Sequence, residues 1–353
     1  VSFDWTQRRS GGNVRFDFKC DEMCPKTIYL CLLPLLQEDI KHLGSRVFKS
    51  TLYLTEMAYK NVVLVGAGNI GRIILRGLED SSQFNITVLS RKESSAVFPD
   101  SVNVWKTDYS KSDLEAAFTG QDVVISALGA LGFTEQRKLV DAAVQSGVKR
   151  FLPSEFSCNS QNGAVIELLP IFQQKADIIQ YLKSKESTGL TWTSLVTSLL
   201  FDWGLENGFL GYDISSRTAT IWDDGNKKFT LTNEGHLSKA VVSVLQRPNE
   251  TKNQILYIAS VETSQNEILN AFETVTGCKW SIIRTTTEEQ VTEARMKLSK
   301  GDFDGALTLV RATSYSNLPG LKSNYAKGFK VANDILGLEW ANVEDTVRTV
   351  VSK

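Results

Sequence analysis

Residues 61–71 read NVVLVGAGNIG, and this stretch is the clearest indication of the fold in the sequence. Asn61 to Val65 is a short apolar run rich in valine, which is typical of a parallel strand buried on both faces. The turn Gly66-Ala67-Gly68-Asn69-Ile70-Gly71 follows at once, and apolar residues at helical spacing continue after it. Glycine permits a tight turn and lets the backbone approach a pyrophosphate closely, while the N-terminus of the following helix offers free N–H groups to the anion. In this context the turn predicts dinucleotide binding rather than a merely structural role.

The end of the second predicted strand indicates which dinucleotide is bound. This strand, Asn85 to Leu89, is followed by Ser90-Arg91-Lys92. A site specific for NAD usually carries an acidic residue here, which binds the ribose 2′-hydroxyl. Two cations and a hydroxyl instead favour NADP(H), because its 2′-phosphate is an anion. The alternative is a solvated basic turn.

Further strands and helices alternate along the chain. Strands are predicted at residues 102–105, 122–127 and 149–153, with helices at 112–118 and 134–145. This alternation predicts an α/β fold with a Rossmann-like, doubly wound parallel sheet.

In such a sheet, the loops at the carboxyl ends of the strands form the ligand site. Two predicted loops belong to this edge, residues 127–129 and residues 154–156. We therefore expect both loops to lie near the cofactor.

The composition argues against several other functions. Lys plus Arg total 39 and Asp plus Glu total 40, so the net charge is −1. No basic stripe is visible in the sequence, which argues against nucleic acid or a membrane surface as a partner. Only His42 and His236 are present, so Ser-His-Asp hydrolysis and histidine-based metal catalysis are poorly supplied. No metal site is predicted.

The sequence pattern of the first 56 residues differs from that of the rest. They show no sustained strand or helix period, and the pattern changes abruptly at Met57. We expect Met57 to be the natural start and residues 1–56 to be a leader or a disordered extension, in preference to a folded accessory element. Four residues of this segment could serve as zinc ligands, namely Cys20, Cys24, Cys31 and His42. Their spacing lacks the paired C-x2-C geometry of structural zinc sites, so we do not favour this zinc set.

Hydride transfer to a carbonyl or a conjugated alkene needs a proton donor, and with histidine scarce the candidates are tyrosine and lysine. Tyr181 and Lys185 stand one helical turn apart, at a spacing that lets a lysine lower the pKa of a tyrosine. Lys175 lies on the same predicted helix. At about 100° per residue, Lys175 points into the middle of an apolar arc, whereas Tyr181 and Lys185 lie at its margin or outside it.

Burial on that arc favours Lys175 as the catalytic residue. A lysine that faces apolar neighbours and a cofactor cleft is disfavoured as a cation, so its pKa should fall toward a range useful for acid–base chemistry. Two alternatives remain open. One is the Tyr181–Lys185 pair, and the other is a snorkelling or ion-paired Lys175 that carries no chemistry.

Several stretches together resemble the isoflavone reductase-like, NmrA-like group of atypical short-chain dehydrogenases. They are the GAGNIG turn, the basic end of the second strand, residues 147–156 (GVKRFLPSEF) and the helix that carries Lys175. The similarity spans nearly all of residues 57–353. Residues 201–204 (FDWG) and 218–225 (TATIWDDG) resemble fungal members of the group.

The resemblance implies NADPH-dependent reduction of phenolic or other aromatic-ring compounds, with Lys175 at the position of the catalytic lysine. It further implies that the glycine turn surrounds the pyrophosphate and that Arg91 binds the 2′-phosphate. The full set of predicted cofactor-binding residues is Gly66, Gly68, Asn69, Ile70, Gly71, Ser90, Arg91, Lys92, Ala127, Leu128, Gly129, Ser154 and Phe156.

The second half of the chain is less regular. We expect residues 57–200 to form the dinucleotide-binding domain and residues 201–353 a smaller α+β substrate-binding part, partly interleaved with the Rossmann sheet. Arg217–Ile221 and Lys228–Leu231 flank Asp224-Gly225 and predict a β-hairpin. Aromatic residues in this part could line a pocket for a flat substrate, although core packing is the safer interpretation for most of them.

These observations predict a cytoplasmic NADPH-dependent oxidoreductase, monomeric or homodimeric. It would transfer a hydride to a small aromatic, phenolic, quinone or enone-like substrate. The competing hypothesis is a non-catalytic, NmrA-like, NADP-binding redox sensor that regulates a protein partner. Lys175 separates the two, since a regulator has no evident need for a lysine in the middle of an apolar helix face.

Overall fold

The computed structural model describes residues 59–353 in full and, before them, the backbone of residues 6–10 and 13–17. Strands β1 (Thr6–Ser10) and β2 (Asn13–Asp17) pair antiparallel, a pairing that residue patterning did not predict. The chain divides into two units, residues 1–56 and 57–353. The rest of the expected leader or extension and the alternative zinc set lie outside the described residues.

The unit that begins at Met57 alternates strands and helices through its first half. Its strands are β3 (Asn61–Val65), β4 (Asn85–Arg91), β5 (Asn103–Thr107), β6 (Val123–Ser126), β7 (Arg150–Leu152), β8 (Thr191–Val196), β9 (Leu199–Leu200), β10 (Tyr212–Asp213), β11 (Thr218–Trp222), β12 (Phe229–Thr232), β13 (Gln254–Tyr257), β14 (Val261–Thr263) and β15 (Ser281–Thr285). Its α-helices are α1 (Asn69–Ser81), α2 (Lys111–Phe118), α3 (Gln136–Gln145), α4 (Gly163–Leu168), α5 (Gln173–Ser184), α6 (Phe201–Glu206), α7 (Glu234–Gln246), α8 (Pro248–Thr251), α9 (Gln265–Thr276), α10 (Thr287–Ser299), α11 (Asp304–Tyr315), α12 (Tyr325–Gly328), α13 (Asn333–Leu336) and α14 (Val343–Val351).

The main sheet has seven strands in the order β13-β8-β7-β6-β3-β4-β5, and every pairing in it is parallel. The chain moves outward from β3 through β4 to β5, then returns to the other side of β3 with β6. The predicted doubly wound α/β sheet is therefore confirmed. Its topological switch point lies between β3 and β6, which is where such sheets bind dinucleotides.

Strand β3 shows why helices cover both faces of the sheet. Because successive side chains of a strand point to opposite faces, Val62 and Leu64 pack with α1 and α7, whereas Val63 and Val65 pack with α2, α3 and α5. All four side chains are fully buried. On the first face α1 and α7 approach closely, since a Cβ at Gly77 would lie 2.6 Å from Cβ of Ser238.

The C-terminal part builds its own core but shares the main sheet. Strands β10, β11 and β15 form one small sheet, and β14, β12 and β9 form another. These sheets, with α9, α10 and α11, enclose a third apolar cluster that includes Trp222, Phe272 and Tyr315. Strand β13 belongs by sequence to the C-terminal part, but it pairs with β8 at the edge of the main sheet.

The predicted hairpin around Asp224-Gly225 is wrong. Strand β11 pairs with β10 and β15, whereas β12 pairs with β14 and β9. The turn between them is held by the Asp223 carboxylate, which accepts hydrogen bonds from Thr287 and from Asn317. These partners are distant in sequence, so they direct the two strands into different sheets.

None of the helices within the described residues is both long enough and apolar enough to cross a membrane.

Candidate active site

The turn between β3 and α1 has room only for glycine at two of its positions. Gly66 has a φ of 91°, and a Cβ there would lie 3.0 Å from the carbonyl oxygen of Ala127. A Cβ at Gly71 would lie 2.2 Å from the carbonyl oxygen of Gly66. Gly71 thus lets α1 start directly against the turn, and Gly66 lets the turn pass the end of β6.

Gly68 has a different environment, because a Cβ there would meet no atom within 4 Å. Gly68 caps α1 without any side-chain hydrogen bond, and Asn69 beside it is exposed. The first N–H groups of a helix have no intrahelical acceptors, so those of Asn69, Ile70 and Gly71 are available to a ligand. An open cradle lined by backbone N–H groups at a helix N-terminus fits the pyrophosphate of a dinucleotide.

The two cations at the end of β4 differ in their partners. Lys92 forms an ion pair of 2.7 Å with Asp108, a partner that the sequence did not indicate. The hydrogen bond to Asp108 raises the pKa of Lys92, and it lowers the pKa of Asp108 far below its usual range. Arg91 is exposed and belongs to no ion pair among the described residues, while Ser90 is buried. Of the two cations, Arg91 is therefore the one left available for a phosphate.

The loops after β6 and β7 are joined to each other. The Ser154 hydroxyl donates to the carbonyl oxygen of Leu128 at 2.6 Å, and the Ser154 amide donates to the Gln136 side chain at 2.7 Å. Ala127 is bound to β3, since its amide donates to the carbonyl oxygen of Val65 at 2.8 Å. The sequence pattern did not predict a role for Gln136 at the site, because a glutamine at the start of a helix is not a distinctive feature.

Two more of the predicted cofactor residues lie on these loops. Gly129 is exposed, and a Cβ there would meet no atom within 4 Å. Phe156 is buried with a φ of 22°, a strained value for a residue other than glycine. Such strain often accompanies functional loops. The predicted cofactor residues thus lie at the carboxyl edge of strands β3, β4, β6 and β7.

Lys175 on α5 is buried beside the same edge, with only 5% of its surface exposed. Its Nζ donates a hydrogen bond of 2.7 Å to the carbonyl oxygen of Glu155, in the loop after β7. Two aromatic rings flank the amine, with Nζ 4.6 Å from the ring centroid of Phe172 and 4.9 Å from that of Phe133. Phe172 encloses the amine from the short helical turn Pro170–Phe172 directly before α5, and Phe133 from the segment after β6.

Burial lowers the pKa of Lys175, while the nearby Glu155 carboxyl and Cys158 thiol act in the opposite direction. Glu155 is also buried, and burial raises its pKa against the opposing effect of Lys175. One carboxyl oxygen of Glu155 accepts a hydrogen bond of 2.9 Å from the amide of Ser160. An amine in this setting can hold a proton and release it more readily than an exposed lysine.

The alternative pair on the same helix faces elsewhere. The Tyr181 hydroxyl donates to the carboxylate of Asp141 on α3, and the guanidinium of Arg137 stacks on the Tyr181 ring at 3.9 Å. Lys185 lies 3.6 Å from the same Asp141 carboxylate. Asp141 is exposed, so this pair forms part of a charged surface cluster, whereas Lys175 contacts the loops at the carboxyl edge.

No group of three or more His, Cys, Asp or Glu side chains suited to a metal ion occurs among the residues that the structure describes.

Comparison with known proteins identifies the family. Residues 58–299 match the model of the NmrA-like family, so the chain belongs to this family. It is 35% identical to oxidoreductase aprR of Aspergillus flavus over 298 residues, which cover 84% of this chain and 99% of that protein. It is 30% identical over 233 residues to the isoflavone reductase homolog IRL of Zea mays, covering 62% of this chain and 74% of that protein. The resemblance to the isoflavone reductase-like group is confirmed.

Solved structures agree on the fold. A ternary complex of leucoanthocyanidin reductase from Vitis vinifera superposes with a TM-score of 0.68, at 18% identity, over 83% of this chain and 100% of that one. At this identity the likeness shows that the two chains share their fold.

Proposed function

We propose that this protein is an NADPH-dependent reductase that acts on a small aromatic, phenolic, quinone or enone-like substrate, with Lys175 as the general acid. Its family membership supports the reductase assignment, because its relatives include oxidoreductase aprR and a maize isoflavone reductase homolog. The observation that carries the proposal is the buried Lys175 amine at the carboxyl edge of a dinucleotide-binding sheet.

The residues present fit NADPH. The open cradle at Gly68 and the N-terminus of α1 would hold its pyrophosphate, and Arg91 would hold its 2′-phosphate. NADPH supplies a hydride when it is bound. Leu128, Gly129, Ser154 and Phe156 would border the cofactor from the loops after β6 and β7.

Lys175 would deliver the accompanying proton. Its ammonium form is oriented by the carbonyl oxygen of Glu155, and it is enclosed by Phe133 and Phe172. Burial lowers the pKa of Lys175, which reduces the free energy needed to transfer a proton to a developing oxyanion or carbanion. Lys175 acts directly or through an ordered water.

The same two rings support the substrate class. Phe133 and Phe172 are buried and make the surroundings of the proton donor apolar and aromatic, which favours flat, conjugated partners. A conjugated carbonyl, a quinone or a phenolic ether would place a proton-accepting atom near the amine.

The experiment is a screen of the full chain for NADPH oxidation against quinones, enones and phenolic ethers, with NADPH and NADH affinities measured in parallel. We expect consumption of NADPH with at least one class and a preference for NADPH over NADH. Tight NADPH binding without turnover in any class would instead support the redox sensor and reject the reductase.

A further inference from the structure

Arg311 on α11 has an unusual environment for a partly buried cation. Its Nε is enclosed by protein and has no hydrogen-bond acceptor among the described residues. No ion pair of the described residues includes it, and burial lowers its pKa, with Tyr315 as the one titratable group among those residues that acts in the opposite direction. The acidic residues of the neighbouring segment 206–213 are used elsewhere: Glu206 pairs with Lys353, and Asp213 accepts hydrogen bonds from Ser215 and Ser216.

Another buried guanidinium, that of Arg150, has a hydrogen-bond acceptor for each of its nitrogens. Arg150, with 1% of its surface exposed, donates to the hydroxyls of Thr191, Thr193 and Thr251 and to the carbonyl oxygen of Pro248, at 2.7 to 3.2 Å. Arg311 has none of these compensations, although burial disfavours its charge and lowers its pKa. An enclosed charge without a counter-ion is costly for folding, and an anionic ligand that pairs with the guanidinium would offset this cost.

The surroundings of Arg311 indicate the shape of that ligand. The guanidinium carbon lies 5.5 Å from the ring centroid of Phe209, and the Phe209 ring lies 5.6 Å from that of Trp203. Both aromatic side chains are partly exposed. On another side, Nη1 is 3.7 Å from the place where a Cβ at Gly211 would stand, so a side chain at this position would contact the guanidinium.

We propose that Arg311, Phe209 and Trp203 form a binding site for an aromatic carboxylate. The planar fork of a guanidinium pairs with a carboxylate through two parallel hydrogen bonds, and the two rings offer a surface for a flat apolar body. The site lies close to the main sheet, because Ser314, one turn along α11, is 3.5 Å from the hydroxyl of Ser198 just after β8. The proposal concerns binding and stands independently of the reduction assigned to Lys175.

The test uses 2-naphthoate and its uncharged methyl ester, each titrated calorimetrically into the full chain. We expect the wild type to bind the acid about tenfold or more tightly than the ester, because a charged hydrogen-bonded pair contributes on that order. Arg311→Gln should abolish this preference and leave the affinity for the ester unchanged. Arg348→Gln, which changes an exposed arginine on α14, is the matched control and should retain the preference.

Arg311→Lys is the control for a folding defect, since it keeps the charge and loses only the planar guanidinium fork. It should bind the acid with intermediate affinity. Equal binding of acid and ester by the wild type, a preference that survives Arg311→Gln, or no binding of either compound would each overturn the proposal. NADPH affinity and turnover, measured on the same samples, distinguish this result from a failure of the proposed reductase activity.

Discussion

The carboxyl edge of the main sheet and the C-terminal part each enclose a cation, but they treat it differently. Lys175 has a carbonyl acceptor, a buried carboxyl nearby and two flanking rings. Arg311 has one ring and no acidic partner among the described residues. A lysine can lose its proton in response to burial, whereas an arginine stays charged. The first environment therefore suits proton transfer, and the second suits recognition of an anion.

The largest expected effect separates these two roles. Lys175→Ala should reduce turnover by about 10²- to 10⁴-fold, the usual contribution of general acid catalysis. It should leave the affinities for NADPH and for 2-naphthoate nearly unchanged, because neither proposed site includes the amine. Steady-state kinetics and calorimetry measure the two effects.

Lys183→Ala is the control for that experiment, since Lys183 is exposed on the same helix. It should keep wild-type turnover. Comparable losses in both variants would mean that α5 tolerates neither change and that Lys175 has no special role.

A smaller effect is expected at the basic end of β4. Arg91→Ala should weaken NADPH binding by about ten- to a hundredfold, because it removes a charged hydrogen-bonding partner of the 2′-phosphate. NADH, which lacks this phosphate, should bind as before. Lys92→Ala should have the weaker effect on NADPH, since Lys92 is already paired with Asp108. Equal losses for NADPH and NADH in Arg91→Ala would reject the 2′-phosphate role.

Glu155 should adjust the pH dependence of turnover. Its negative charge opposes the effect of burial on Lys175, so Glu155→Gln should lower the pKa of Lys175 further. Because the proton donor must be protonated, turnover falls as the pH rises through this pKa. The basic limb of the pH–rate profile should thus move to lower pH.

Glu167→Gln removes an exposed carboxylate from α4 and serves as the control for Glu155→Gln. Its profile should match that of the wild type. A basic limb that stays in place in Glu155→Gln would show that this carboxyl does not influence the proton donor.

The smallest effect concerns stability in the C-terminal part. Burial lowers the pKa of Lys227 from 10.5 to about 8, so the unfolded chain binds more protons than the folded chain between these values. The resulting destabilisation is fully present below pH 8 and disappears as the pH rises to 10.5. Wild-type stability relative to Lys227→Met should therefore increase with pH across this window, as measured by urea unfolding. Lys228→Met, at an exposed ion pair, should show no such trend.

The strands and helices of the main sheet could be predicted because their signals are local. The glycine turn, the apolar strand and the arc around Lys175 each lie within a few residues of one another. The pairing of Lys92 with Asp108, the bond from Ser154 to Gln136 and the hold of Thr287 on Asp223 join distant parts of the chain. No local pattern encodes such contacts, which is why the hairpin prediction failed and the site was only partly foreseen.

The proposed proton donor depends on the protonation state of the Lys175 amine, which can be measured by titration. Lysine side chains labelled with ¹³C and ¹⁵N can be followed by NMR as the pH is raised, with Lys175→Ala used to assign the signal. We expect Lys175 to lose its proton below the ordinary lysine value of 10.5. A Lys175 that titrates at or above 10.5 would contradict this expectation.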